Sequence, residues 1–157
     1  MFAESWPWIA AVAVLAVIAV GAAVWFARRP LGRPSIERAR RLFHLQRERV
    51  EHRLFMLASK SGKPRGLEWV ECDFEDEVSF ARDRHTGRLR ALVAVTIRFK
   101  AIEGGDMEDN PNVGNLRAAS AVFLLDGDDW STDGRIVFNV NPVEAIQLYR
   151  EELELVE

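Results

Sequence analysis

The sequence predicts an α+β protein: an N-terminal transmembrane helix, a long amphipathic helix packed on a four- to five-stranded antiparallel sheet, and a short C-terminal helix. Three observations carry this expectation. Residues 6–27 contain no ionisable side chain; an apolar stripe recurs in steps of three and four between Ser35 and Ser59; and after Pro64 the pattern changes to short alternating segments. The chain has 157 residues, 48% apolar and 29% charged, with a net charge of −3. These values exclude a large multidomain enzyme and a disordered polar chain, and one cysteine excludes a disulfide scaffold.

Trp6 to Ala27 reads WPWIAAVAVLAVIAVGAAVWFA. About 20 apolar residues at about 1.5 Å each match a hydrocarbon core of about 30 Å, where only a helix satisfies its own backbone. Pro7 suits a first turn, and Trp6, Trp8, Trp25 and Phe26 suit the two interfaces of a spanning segment. The leader, residues 1–5, has no Lys or Arg, so an uncleaved anchor is expected rather than a signal peptide. Arg28 to Arg65 carries 12 Lys/Arg against 3 Asp/Glu. Positive flanks stay inside, which places residues 1–5 outside the plasma (inner) membrane and the domain of residues 35–157 in the cytoplasm. The basic linker 28–34 joins them, with Arg28, Arg29 and Arg33 as expected lipid contacts, so the bilayer is one expected partner. The lone Cys72 agrees with a reducing compartment.

Gly66 to Glu157 reverses the balance, with 9 Lys/Arg against 20 Asp/Glu. An acidic body disfavours nucleic acid, whose binding rests on neutralising phosphate.

Ser35 is an N-cap for a helix reaching about Ser59, with Ile36, Ala39, Phe43, Gln46, Val50, Leu54 and Leu57 on one stripe. Gly62 and Pro64 stop it. Gln46 and Arg53 spoil a coiled-coil seam, so the stripe is expected to pack on the protein's own sheet. Leu67–Phe74 and Val78–Arg82 are two strand candidates, and Asp83–Gly87 is a hairpin loop. Leu89–Ile102 is the clearest strand: Leu89, Ala91, Val93, Val95, Ile97 and Phe99 share one face, and Leu92 and Ala94 make the other face partly apolar. Leu116–Leu125 and Trp130–Val140 follow, with a bulge or turn at Asp133-Gly134. Asn141, Pro142 and Glu144 open a closing helix that directs Ala145, Ile146, Tyr149, Leu153 and Val156 inward.

This order of elements over about residues 35–150 resembles the cystatin-like and nuclear-transport-factor-2-like α+β rolls, in which a curved sheet wraps a helix. The resemblance implies that fold, and either a binding module or a small-molecule enzyme acting in the cone of the roll. It implies no site residues. The whole chain also resembles bacterial single-pass membrane proteins.

His44, Glu48 and His52 share a helix stripe, but its ends lie about 12 Å apart and four arginines crowd it, so a solvated face is expected, not a metal site. Glu71, Asp73, Glu75, Asp76 and Glu77 form an acidic run around a strand end, and Glu103–Asn110 is an acidic, glycine-containing loop. No phosphate-binding loop, nucleophile elbow or paired CxxC is present. The expected function is a membrane-tethered, non-enzymatic cytoplasmic module without cofactor or metal. It binds a protein partner or small ligand through Asp73, Glu75, Asp76, Asp106, Glu108 and Asp109. The alternative is an enzyme using Asp73 or Asp83 as base with His85 assisting, which a sheet filled by Trp69, Phe99, Phe123 and Phe138 would remove. Self-association through Ala19, Ala23 and the long helix is a third expectation.

Overall fold

A computed structural model of the chain describes residues 14–21 and 35–156. They fall in two units, Met1–Arg33 and Pro34–Glu157. Of the first, only helix α1, residues 14–21, is described. At about 1.5 Å per residue it covers about 12 Å. Among the described residues no helix is long and apolar enough to cross a membrane, which corrects the expected transmembrane helix over 6–27. The interfacial residues Trp6, Trp8, Trp25, Phe26, Arg28, Arg29 and Arg33 lie outside the described residues.

The second unit begins with helix α2, Ile36–Lys60. The Ser35 hydroxyl accepts the Arg38 N–H, occupying a donor that a first turn leaves open. At the other end Gly62 takes the left-handed conformation, φ +66°. Ala39, Phe43, Val50, Leu54 and Ala58 are buried. Leu57, expected on the stripe, is 39% exposed, and Ala58 faces inward in its place. A heptad spacing drifts by about 20° per repeat on a straight helix, so a stripe begun at Ile36 has rotated off the core by Leu57.

The sheet is antiparallel and has six strands rather than four or five: β1 Leu67–Asp83, β2 Leu89–Ala101, β3 Arg117–Asp126, β4 Asp129–Ser131, β5 Ile136–Phe138 and β6 Leu153–Val156. Their order is β4-β3-β2-β1-β6, with β5 also paired to β3. Three differences from the sequence expectation have physical causes. The two candidates at 67–74 and 78–82 are one strand, because Phe74 pairs with Val95 and Val78 with Val93, leaving Glu75, Asp76 and Glu77 opposite Ala94 alone. The polar triplet is therefore a three-against-one bulge within a strand. Of the bulge or turn expected at Asp133-Gly134 in the run 130–140, the chain takes the turn, φ +83° at Gly134, which divides the run into β4 and β5. Leu153 and Val156 lie on β6, not on a helix, since helix α3, Pro142–Leu148, ends after two turns. There β6 covers the β1 edge from Phe80 to Asp83, and Leu153 is buried beside Ala81, Leu92 and Val122.

Strand alternation divides the apolar residues between two faces. On one, α2 packs over Trp69, Phe80, Val93, Ile97, Phe99, Phe123 and Trp130. On the other, Ala145 and Ile146 of α3 cover Leu92 and Val122, the second apolar patch expected at mid-strand. The capping box at the start of α3 is complete, with Asn141 Oδ1 accepting the Glu144 N–H at 2.8 Å and Glu144 Oε2 accepting the Asn141 N–H at 3.1 Å. Gly134 packs so closely on α2 that an added Cβ would lie 2.9 Å from Leu57 Cβ. Gly134→Ala combines that clash with a strained positive φ, and is expected to cost more than about 1 kcal/mol, read from a lower urea midpoint at unchanged slope.

Candidate binding cleft

The β1 bulge is fixed from the α2 side. Arg47, mostly buried, donates to Glu51 at 2.6 Å and to the backbone carbonyls of Asp76, at 3.0 Å, and Glu75. Carbonyls that the bulge withdraws from the β1–β2 ladder thereby keep a charged donor. Their acidic side chains are left in solvent: Asp73, Glu75, Asp76 and Glu77 are all exposed.

Across the sheet, the chain leaves β5 through Val140, Asn141 and Pro142 and enters α3. Between this segment and the bulge, on the face opposite α2, lies a cleft of about 350 Å³. Small side chains line it from three strands: Ser79 of β1, Ala94 and Thr96 of β2, and Ala118 of β3. Register explains their meeting, since Thr96 pairs with Ala118 and Ala94 with Ser120. The far wall is Val140, Asn141, Pro142 and Val143, and the near wall carries Glu75 and Glu77. Neither glutamate has an ion pair among the described residues, and no Lys or Arg lines the cleft. Its outline owes most to what is small: alanine, serine and threonine where bulkier residues would fill the sheet surface.

The structure does not bring the two expected acidic surfaces together. Asp73 pairs with Thr96, whereas the loop bearing Asp106, Glu108 and Asp109 leaves β2 five residues further on, about 16 Å away at about 3.3 Å per residue. That loop is exposed at all three residues but is built of successive turns, with Gly105 N–H donating to Ile102 O, Glu108 to Gly105, Asn110 to Met107 and Val113 to Asn110. Glu108 Oε2 accepts the Gly104 N–H at 2.8 Å, which engages that carboxylate within the loop. Among the described residues no three His, Cys, Asp or Glu side chains converge as a metal ion requires. His44, Glu48 and His52 lie on the exposed face of α2. Of the six expected partner residues, only Glu75 lines the cleft; Glu77, Ser79 and Thr96 were missed, because their convergence depends on the bulge and on the return of 140–143.

The residues of the enzymatic alternative do not converge on one cavity, and Asp83 meets His85 only through the latter's backbone N–H. Asp73 is exposed, Asp83 is buried ten positions along the same strand, and His85 is exposed at the hairpin tip. Asp83 is fully engaged: its Oδ1 accepts the backbone N–H groups of His85 and Thr86 at 3.0 and 2.9 Å, and Oδ2 pairs with Arg90 at 2.5 Å. Burial raises its pKa, yet the Thr86 and His85 bonds and the Arg90 guanidinium outweigh that and hold the carboxyl down at about 2. It is a hairpin clamp. Between α2 and the sheet, Trp69 meets Phe99 edge to face with centroids 5.0 Å apart, and Phe138, 37% exposed, tilts against both.

Cys72 is half-buried beneath α2, and desolvation, with Asp73 and Glu51 adding repulsion, pushes its thiol up to about 12. The smaller thiolate fraction predicts slower alkylation at pH 8 than in the unfolded chain. Iodoacetamide labelling with and without urea measures the ratio. No protein-family model matches this chain, and neither the curated proteins nor the solved structures contain a match to it.

Proposed function

We propose that this protein is a non-enzymatic α+β binding module whose ligand site is the cleft between the β1 bulge and the start of α3. The carrying observation is the cleft itself: about 350 Å³ of open space on an otherwise close-packed sheet, with polar groups at one end and apolar walls at the other. Ligand sites have this combination of concavity, apolar lining and a few convergent polar groups. The element order that resembles cystatin-like and nuclear-transport-factor-2-like rolls supports a binding role as well. Tethering of the module at the cytoplasmic face of the plasma membrane is part of the proposal. It is supported by the basic stretch from Arg28 to Arg65, which carries 12 Lys/Arg against 3 Asp/Glu and suits an anionic lipid surface.

The cleft is tested by filling it. Ala118 is exposed and lines the space, so Ala118→Leu occupies it without entering the core. Fragment binding followed by NMR on the full chain in micelles is expected in the parent protein and absent from a folded Ala118→Leu variant. Equal binding by both removes the cleft as the site.

A further inference from the structure

We infer that the cleft selects a small organic cation, an ammonium or guanidinium group carried on a short methylene stem; this rests on the reading of the cleft as a ligand site. Glu75 and Glu77 stand two residues apart on one wall, without a counter-ion among the described residues, and nothing basic faces them across the space. Strand alternation directs both to the face of Ser79, and the bulge sets them outside the regular ladder, three residues standing opposite Ala94 alone. Two adjacent negative charges on an otherwise uncharged lining repel each other and create a potential that an entering cation relieves. The hydroxyls of Ser79 and Thr96 lie in the same lining and supply neutral acceptors for the remaining N–H donors of such a head group. Pro142 and Val143 on the far wall offer apolar surface to a methylene stem.

Two features narrow the ligand further. A divalent metal ion needs several oxygens on one point, and no such convergence exists among the described residues. The space is near the lower end of the range for small-molecule pockets, which fits a diamine or an alkylguanidine better than a segment of folded protein.

The probe is agmatine, titrated calorimetrically into the full chain in detergent micelles, beside N-butylacetamide as a neutral match, glutarate as an anionic one, and a short arginine-containing peptide. Saturable agmatine binding is expected, weakened by added salt, at least about tenfold weaker in the E75Q/E77Q variant, and lost in Ala118→Leu. Circular dichroism establishes that both variants fold, and the two glutamates are exposed and bear no packing role. If N-butylacetamide or glutarate binds as well as agmatine, and E75Q/E77Q leaves affinity unchanged, cation selection is wrong while the cleft stands as a ligand site. If the peptide binds and agmatine does not, the occupant is a partner's side chain and the small-ligand inference is overturned. If no probe binds, both the inference and the reading beneath it are overturned.

Discussion

Trp130→Ala is expected to remove about 3–5 kcal/mol of stability, a large share of the about 5–15 kcal/mol that holds a domain folded. Trp130 is the largest fully buried side chain in the folded unit. Its ring stands edge-on to Phe43 and Phe80, with centroids 5.2 and 6.0 Å away, so truncation opens a void bounded by aromatic rings on two elements. A polar loss adds to this: the indole Nε1 donates to the Ala39 carbonyl at 3.1 Å, whereas the backbone N–H, which donates to Gln46 Oε1 at 2.7 Å, survives the substitution. β4 has only three residues, held by its pairing with β3 and by this contact with α2, so that pairing should loosen with the ring. Urea unfolding followed by circular dichroism measures the loss; a cost below about 1 kcal/mol would show that α2 and β4 close over the gap. Trp130→Phe keeps most of the packing and forfeits the indole bond, so a smaller cost is expected.

Asp83→Ala is the second large effect. The substitution leaves three donors without an acceptor: two backbone N–H groups in the hairpin and the guanidinium of Arg90, whose side chain is 17% exposed. Breaking a buried pair by deleting one partner costs about 3–5 kcal/mol, because the remaining charge is uncompensated. Arg90→Met in the Asp83→Ala background should recover part of that cost, and a double-mutant cycle reads the coupling. The same carboxylate gives a pH signature. Its folded pKa, about 2, lies below the ordinary 3.8, so the unfolded chain binds its proton first. The stability it contributes is complete above about pH 4 and is lost as the pH falls through the folded value near 2. Asp83→Ala should flatten that part of the acid-unfolding profile; an identical profile in both proteins would mean that other carboxylates govern it.

Much of the scaffold was legible in the amino-acid order because local signals and burial agreed. Ser35 as cap, the Phe43–Val50–Leu54 stripe, the alternation from Leu89 to Phe99 and the Asn141–Glu144 capping box each state one structure and adopt it. The strand count failed where burial overrode pattern. Glu75-Asp76-Glu77 reads as a break because no apolar side chain marks the strand, yet Phe74 and Val78 resume the same ladder on either side of it. Leu153 and Val156 keep helical spacing from Ile146, but the uncovered backbone of Phe80–Asp83 recruits them as a strand instead. Gln46 looked like a flaw in an apolar stripe; it is the polar tie from α2 to the β4 turn, its Nε2 donating to the Asp128 carbonyl at 2.9 Å. The cleft was beyond sequence reasoning, since its walls come from residues about sixty positions apart whose approach is set by a bulge and a returning chain.

Because β6 pairs only with Phe80–Asp83, β1 from Leu67 to Ser79 has no strand beside it on its outer side among the described residues. Such a border invites cross-chain stacking. Here Glu68, Glu71, Asp73, Glu75, Asp76 and Glu77 crowd it, and the bulge bends it out of line. Two copies approaching along this margin would meet charge against like charge and kinked backbone against kinked backbone. Acidification, or neutralising these side chains together, would strip away that guard and favour fibrillar stacking along this edge.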